Sequence, residues 1–213
     1  MTAIIYKSQT KYLSKFRNSH DQLIKSMEEF AKKNNVPILD WHAAEFLEQI
    51  IRIKNPKRVL EIGTAIGYST IRIAQNLRPG GIIETIEISI PNIELAQKNI
   101  DESGLADKIK LIGGDALEIL PSLKNKYDLI FLDADKEDYE QLFSNSMKLL
   151  KSDSVLFIDN LLWHGYTASS KVPEKYKAST KNIRKFNELF MNHINLNSTI
   201  LPVGDGIGIG VVK

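Results

Sequence analysis

Apolar positions along this chain change their period twice, dividing it into three stretches. Between residues 13 and 30, Leu13, Phe16, Leu23, Ile24, Met27 and Phe30 recur at three- and four-residue spacing, an amphipathic helical pattern interrupted at 18–21. Pro37 ends that run. Asp40 is placed to cap a second helix with Ala43, Ala44, Phe46, Leu47, Ile50 and Ile51 on its apolar face. From Lys57 onward, short β-rich runs at 58–62, 82–86, 109–112, 127–132 and 155–158 alternate with helical patterns at 68–76, 93–103, 117–123 and 139–149. Nearly continuous apolar strands separated by helices predict a parallel sheet covered on both faces. Right-handed crossovers make that sheet doubly wound. The last stretch differs again: 198–203 and 207–212 read as strands joined through Gly204-Asp205-Gly206 in a tight hairpin. The expected architecture is α/β, a mostly parallel seven-stranded sheet finished by a C-terminal antiparallel hairpin. Residues 1–213 read as one domain with an N-terminal helical extension over 1–36, and the aperiodic 161–178 as a loop over the site.

Composition narrows the class. The chain has 213 residues, 43% hydrophobic and 25% charged, enough for a sizeable core and unlike a disordered chain. Its apolar runs are too short to cross a bilayer, so no membrane partner is expected. Lys7, Lys11, Lys15 and Arg17 precede no apolar signal core, which makes the expected location cytoplasmic. The absence of cysteine excludes disulfides, thiolate metal sites and a cysteine nucleophile. Any metal must therefore be held by oxygen or by the four histidines. A net charge of +2 does not announce a nucleic-acid binder. Lysines do cluster at the N-terminus and between Lys171 and Lys185, compatible with an RNA-binding surface or with a solvated face.

The candidate chemistry sits at strand ends. Glu61-Ile-Gly63-Thr-Ala-Ile-Gly67 follows the first strand and opens a helix. Glycine at 63 and 67 allows a sharp turn and close ligand approach, where open α/β sheets bind their ligands. The glycines are not spaced as in a dinucleotide fingerprint, and no phosphate-binding lysine follows. Glu87, at the end of the second strand, can accept both hydroxyls of a ribose. Asp115-Ala116 follows the third strand, near where an adenine would lie. An acid after strand two without a phosphate grip fits a nucleoside lacking phosphates, such as S-adenosylmethionine.

Asp133-Ala134-Asp135-Lys136 ends the fourth strand and Asp159-Asn160 the fifth, so both sets project into one crevice. Two carboxylates and an amide oxygen form a hard-cation site that suits magnesium, or another divalent ion such as manganese or calcium.

The segments 61–69, Gly114-Asp115-Ala116, Asp133-x-x-Lys136, Asp159-Asn160 and 201–207 together resemble the cation-dependent O-methyltransferases of the catechol and caffeoyl-CoA type. The resemblance runs from about residue 36 to the end and implies a Rossmann-like methyltransferase fold. Within that family the chain is most similar to bacterial tRNA 5-hydroxyuridine methyltransferases, carried by Val36-Pro37-Ile38, 60–69, Ile158-Asp159-Asn160, Phe186-Asn187, Met191-Asn192-His193 and 202–206. It implies metal ligation by Asp133, Asp159 and Asn160 and a catalytic role for Lys136, with Asp133 beside it. It further implies a cofactor site built from Leu39, Glu61, Gly63, Tyr68, Ser69, Glu87, Asp115, Ala116 and Asp133. Two departures matter. Asp40-Trp41-His42-Ala43 replaces a Ser-x-Asp-Glu stretch of the plant members, and Ala134-Asp135 stands where catechol enzymes carry His-Trp. Both point away from a catechol or phenylpropanoid acceptor.

The implied reaction chelates two adjacent acceptor oxygens on the cation, lowering the pKa of the hydroxyl to be methylated. Lys136 removes the proton if the cation lowers its own pKa. A tRNA 5-hydroxyuridine and a small catechol-like molecule offer the same chelate, so both stand as acceptors, the tRNA first. For a tRNA, Lys171, Lys175, Lys181, Arg184 and Lys185 are the candidate phosphate grips. Trp163, His164 and Tyr166, on the expected loop, are placed to stack on or gate the substrate. The long N-terminal stretch suits a homodimer interface or a cover for the cofactor.

Overall fold

The computed structural model describes residues 7–17 and 21–213. The expected break in the first helical pattern falls largely, and His20 wholly, outside the described residues. Helix α1 (Lys7–Leu13) runs into a 3-10 turn at Ser14–Phe16, and α2 (Gln22–Asn34) follows. Asp21 caps α2 by accepting from the Leu23 and Ile24 N–H groups. Asn35 closes it in the left-handed conformation. Its buried stripe, Ile24, Met27 and Ala31, packs into the main core instead of standing off as an appendage. Helix α3 (Trp41–Lys54) is capped by Asp40 and buries Ala43, Ala44, Leu47 and Ile51, as its pattern predicts.

The α/β repeat then follows. Its strands are β1 (Arg58–Ile62), β2 (Ile82–Glu87), β3 (Ile109–Gly113), β4 (Tyr127–Leu132) and β5 (Leu150–Ile158). Helices α4 (Tyr68–Asn76), α5 (Ile90–Ser103), α6 (Ala116–Ile119) and α7 (Tyr139–Leu149) cross between them. Helix α8 (Lys177–Met191) precedes β6 (Leu196–Leu201) and β7 (Ile207–Val212). The seven strands lie in the order β3-β2-β1-β4-β5-β7-β6, parallel from β3 to β5, with β7 antiparallel to both β5 and β6. Alternate residues of each strand feed opposite cores. Leu129 and Phe131 pack with α2, α3 and α4, whereas Ile130 and Leu132 pack with α7 and α8. This is the doubly wound sheet that the hydrophobic pattern predicts. Among the described residues no helix is long and apolar enough to cross a membrane.

Three local expectations need correction. The helix expected over 117–123 is the short α6 plus a 3-10 turn at Leu120–Ser122, because Pro121 cannot continue an α-helix. The hairpin at 204–206 is not tight: residues 202–206 all lie outside the strands, and the loop serves a second purpose described below. The expected loop over 161–178 carries 3-10 turns at Trp163–Ala168 and Glu174–Tyr176 and the start of α8. No helix was expected over 177–191. Its buried face, Thr180, Ile183, Phe186 and Phe190, has the right period but is diluted by Lys181, Arg184 and Lys185.

Candidate active site

The parallel ladder brings five chain segments to one edge of the sheet. Hydrogen bonds extend past each strand end: Gly63 N–H to Ile86 O, Gly114 N–H to Glu87 O, Asp133 N–H to Ile62 O and Asp159 N–H to Leu132 O. Gly63, Glu87, Gly114, Asp133 and Asp159 are thereby held side by side. Gly63 is required there. Its φ is +100°, and a Cβ on it would lie 1.8 Å from the Asp133 carbonyl oxygen.

Glu87 holds the turn after β1 from the side. Its carboxylate accepts from Ala65 N–H at 2.8 Å and Ser89 N–H at 2.9 Å. Asp115 caps α6 through Leu117 N–H, with Ala116 the first helical residue. Leu39 is buried in the core beneath α3. Glu61 is fully buried and accepts from the hydroxyls of Ser69, Thr70 and Thr85. Burial pushes its carboxyl up to about 7 against the pull of those hydroxyls, and Asp133 adds to the rise. Glu61 and Ser69 thus point at each other. Tyr68 turns toward the N-terminal helices, donating to Glu28 at 2.6 Å and accepting from Arg72 at 2.6 Å. Gly63, Glu87, Asp115 and Ala116 line the edge, whereas Glu61, Tyr68 and Ser69 brace it from beneath.

Across β4 the chemistry changes. Lys136 Nζ donates to Asp133 Oδ1 at 3.0 Å, to Ala134 O at 2.8 Å and to the Tyr139 hydroxyl at 2.7 Å. Burial alone would lower its pKa, but the Tyr139 oxygen, Asp133 and Asp159 outweigh it and hold the group above its ordinary range. These contacts favour the ammonium, opposite to the lowered pKa that a base needs. Asp159 is buried, and its carboxyl is raised well above the usual range by that burial and by Asp133. Asn160 follows at φ 62°, its N–H on Asp159 Oδ1. Among the described residues no three His, Cys, Asp or Glu side chains converge as a metal-binding group. The expected set is two carboxylates and an amide, with Asp205 close enough to raise Asp159 further. Asp133 and Asp159 crowd each other beside one ammonium, and with the Asn160 amide they are the oxygen donors that a hard divalent ion would take.

The loop beyond β5 brings aromatics to the same place. The Trp163 ring lies 5.8 Å from Lys136 Nζ, and its Nε1 donates to Ser179 on α8. His164, Tyr166 and Tyr176 gather beside it. The expected cationic set divides. Arg184 donates to the Tyr166, Thr167 and Ser169 carbonyls, and Lys185 pairs with Glu140 at 2.8 Å. Lys171 is exposed, Lys175 lies over the Tyr176 ring, and Lys181 borders a cavity of about 310 Å³ with Ser170, Val172 and Lys177. His42 is held by Asp40, with 2.9 Å from Nδ1 to Oδ1. Sequence reasoning missed Tyr139, the first residue of α7, which the turn carrying Lys136 leads into. It also missed the side-chain role of Asp205.

Residues 14–212 match the family described as O-methyltransferase. The chain belongs to that family. A catechol O-methyltransferase of Niastella koreensis is 29% identical over 98% of this chain and 98% of its own. A Staphylococcus aureus structure assigned to the caffeoyl-CoA O-methyltransferases superposes with TM-score 0.91 at 30% identity, covering 97% of this chain and all of the other. An O-methyltransferase from Bacillus cereus, crystallised with SAH, gives TM-score 0.84 at 28% identity, covering 95% and 96%. As an O-methyltransferase, this chain carries the Rossmann-like methyltransferase fold, its parallel sheet ending in the antiparallel β7-β6 pair.

Proposed function

We propose that this O-methyltransferase uses S-adenosylmethionine and a divalent cation to methylate one of two neighbouring oxygens on a small, catechol-like acceptor. The observation that carries the reading is the pairing of two unlike centres on one sheet edge. A phosphate-free nucleoside niche built on Gly63 and Glu87 adjoins an anionic centre built on Asp133, Asp159 and Lys136. The cofactor supplies an electrophilic methyl group on a sulfonium. A cation held by Asp133, Asp159 and Asn160 would stabilise the acceptor oxygens as anions.

The chain's own residues supply the rest. Glu87 binds the ribose hydroxyls while fixing the turn that bears the methionine end. Lys136, an ammonium in its resting contacts, holds Asp133 in place and offers a positive charge to the developing oxyanion. Beside a cation its neutral amine would be favoured; Lys136, having released its own proton to solvent, would then take the acceptor proton and stand as an ammonium beside the oxyanion. Trp163 and its aromatic neighbours exclude water from the acceptor side and orient a planar ring.

The relatives named for catechol and caffeoyl-CoA support a small acceptor over the tRNA that the closer motif resemblance favours. The internal hydrogen bonds of Arg184 and the Glu140 pairing of Lys185 support it too, since both cations are already engaged. Exposed Tyr12, Leu13 and Phe16 support a homodimer, which light scattering of the purified protein tests.

The deciding experiment offers labelled S-adenosylmethionine with catechol, a caffeoyl ester and hydroxyuridine-bearing tRNA, each with magnesium or excess chelator. Methylation of the small vicinal diols, abolished by chelator, is expected. Methylation of tRNA alone would move the acceptor assignment, and full activity in chelator would remove the cation.

A further inference from the structure

The loop that carries Asn160, Trp163 and His164 is held in an unfavourable backbone conformation. Their φ angles are 62°, 45° and 56°, all in the left-handed region that L-residues rarely adopt, and Gly165 follows at 79°. Such a conformation persists only where its surroundings impose it. Here the imposing element is the turn between β6 and β7. Leu161 N–H donates to Gly206 O at 2.8 Å, Leu162 N–H to Asp205 O at 2.9 Å, and His164 N–H to Asp205 Oδ1 at 2.6 Å. The Asn160 side chain sits beside Asp205 and favours its charged form, and His164 Nδ1 lies 3.6 Å from Oδ2. Gly206 permits the approach, since a Cβ there would lie 2.5 Å from the Leu162 side chain and 2.6 Å from its backbone nitrogen.

We propose that Asp205 is a positioning residue that clamps the strained 160–165 segment, fixing Asn160 toward the anionic centre and Trp163 and His164 as the acceptor wall. This rests on the proposed methyl transfer to a vicinal-oxygen acceptor. A turn that only reversed the chain would need no side chain aimed across it. An Asn160 amide that turns its nitrogen toward Asp205 would leave its carbonyl oxygen free for a hard cation, and the bond from the His164 main-chain N–H keeps the following residues from relaxing.

The test compares Asp205→Ala, Asp205→Asn and the wild type by amide hydrogen exchange and by steady-state kinetics. Asparagine retains an acceptor oxygen for the His164 N–H; alanine does not. Expected for Asp205→Ala are faster exchange of the 161–165 amides, unchanged cofactor affinity, and a loss in acceptor kcat/KM of about tenfold or more. Asp205→Asn is expected within about threefold of wild type on all three. Unchanged exchange in Asp205→Ala overturns the clamp. Faster exchange with unchanged acceptor kinetics overturns its role in the reaction, and equal damage from both variants assigns the effect to charge instead. If the wild type methylates no vicinal-oxygen acceptor, the functional reading fails, and exchange alone decides the clamp.

Discussion

The two halves of the site are built by different means. On the cofactor side, β1, β2 and β3 end in a turn whose shape is set by a glycine, a buried carboxylate under three hydroxyls, and Glu87 on two backbone amides. Its polar groups are satisfied from within, and its residues come from adjoining strand ends. On the acceptor side, β4 and β5 end in charges that crowd one another, roofed by a loop held in left-handed backbone by a distant turn. The first half is organised before anything binds. The second stores electrostatic and conformational strain that ligands can relieve, a common property of places where chemistry is done.

Substitutions should separate the halves, beginning with Asp159. Asp159→Ala is expected to cut kcat by at least about 100-fold. Its denaturant midpoint should hold or rise, because a buried, crowded carboxylate costs stability. A midpoint drop matching the activity loss would make Asp159 structural. Next comes Lys136→Met, with kcat lowered about 100-fold and cofactor affinity retained in equilibrium binding. Equal loss of both would dissolve the distinction between the halves. On the other side, Glu87→Ala should weaken cofactor binding by about tenfold or more, from loss of charged hydrogen bonds, with kcat at saturating cofactor much less affected.

The last effect, on Glu61, is one of stability and depends on pH. Its carboxyl, raised from 4.5 to about 7, keeps its proton in the fold when the unfolded chain has released it. Its contribution to stability is therefore full below about pH 4.5 and declines as pH rises through about 7. The decline is bounded at roughly 3 kcal/mol by the size of the shift. Glu61→Gln, neutral throughout, should gain stability relative to wild type across that window in paired denaturation curves. A constant difference from pH 4.5 to 8 would remove the assignment.

The same contrast governs what the sequence reveals. Strand ends announce the cofactor side, since Gly63 and Glu87 follow runs whose β-character and spacing are local. The paired acids of β4 and β5 are legible for the same reason. The direction in which Tyr68 and Glu61 point is not, because it depends on Glu28 and Thr85, residues remote in the chain. Helix α8 is hidden by cations that lie on its exposed side, Arg184 among them, bound back onto the loop. Asp205 reads as a turn residue until the loop it grips is seen.

The position of β7 between β5 and β6 has a consequence for synthesis on the ribosome. The strands bordering the cofactor niche are all made by residue 132, whereas the strand that flanks β5, and the Asp205 turn before it, emerge only with residues 205–212. A nascent chain would then acquire its nucleoside niche well before its acceptor wall. The reactive half would close after the nucleoside half.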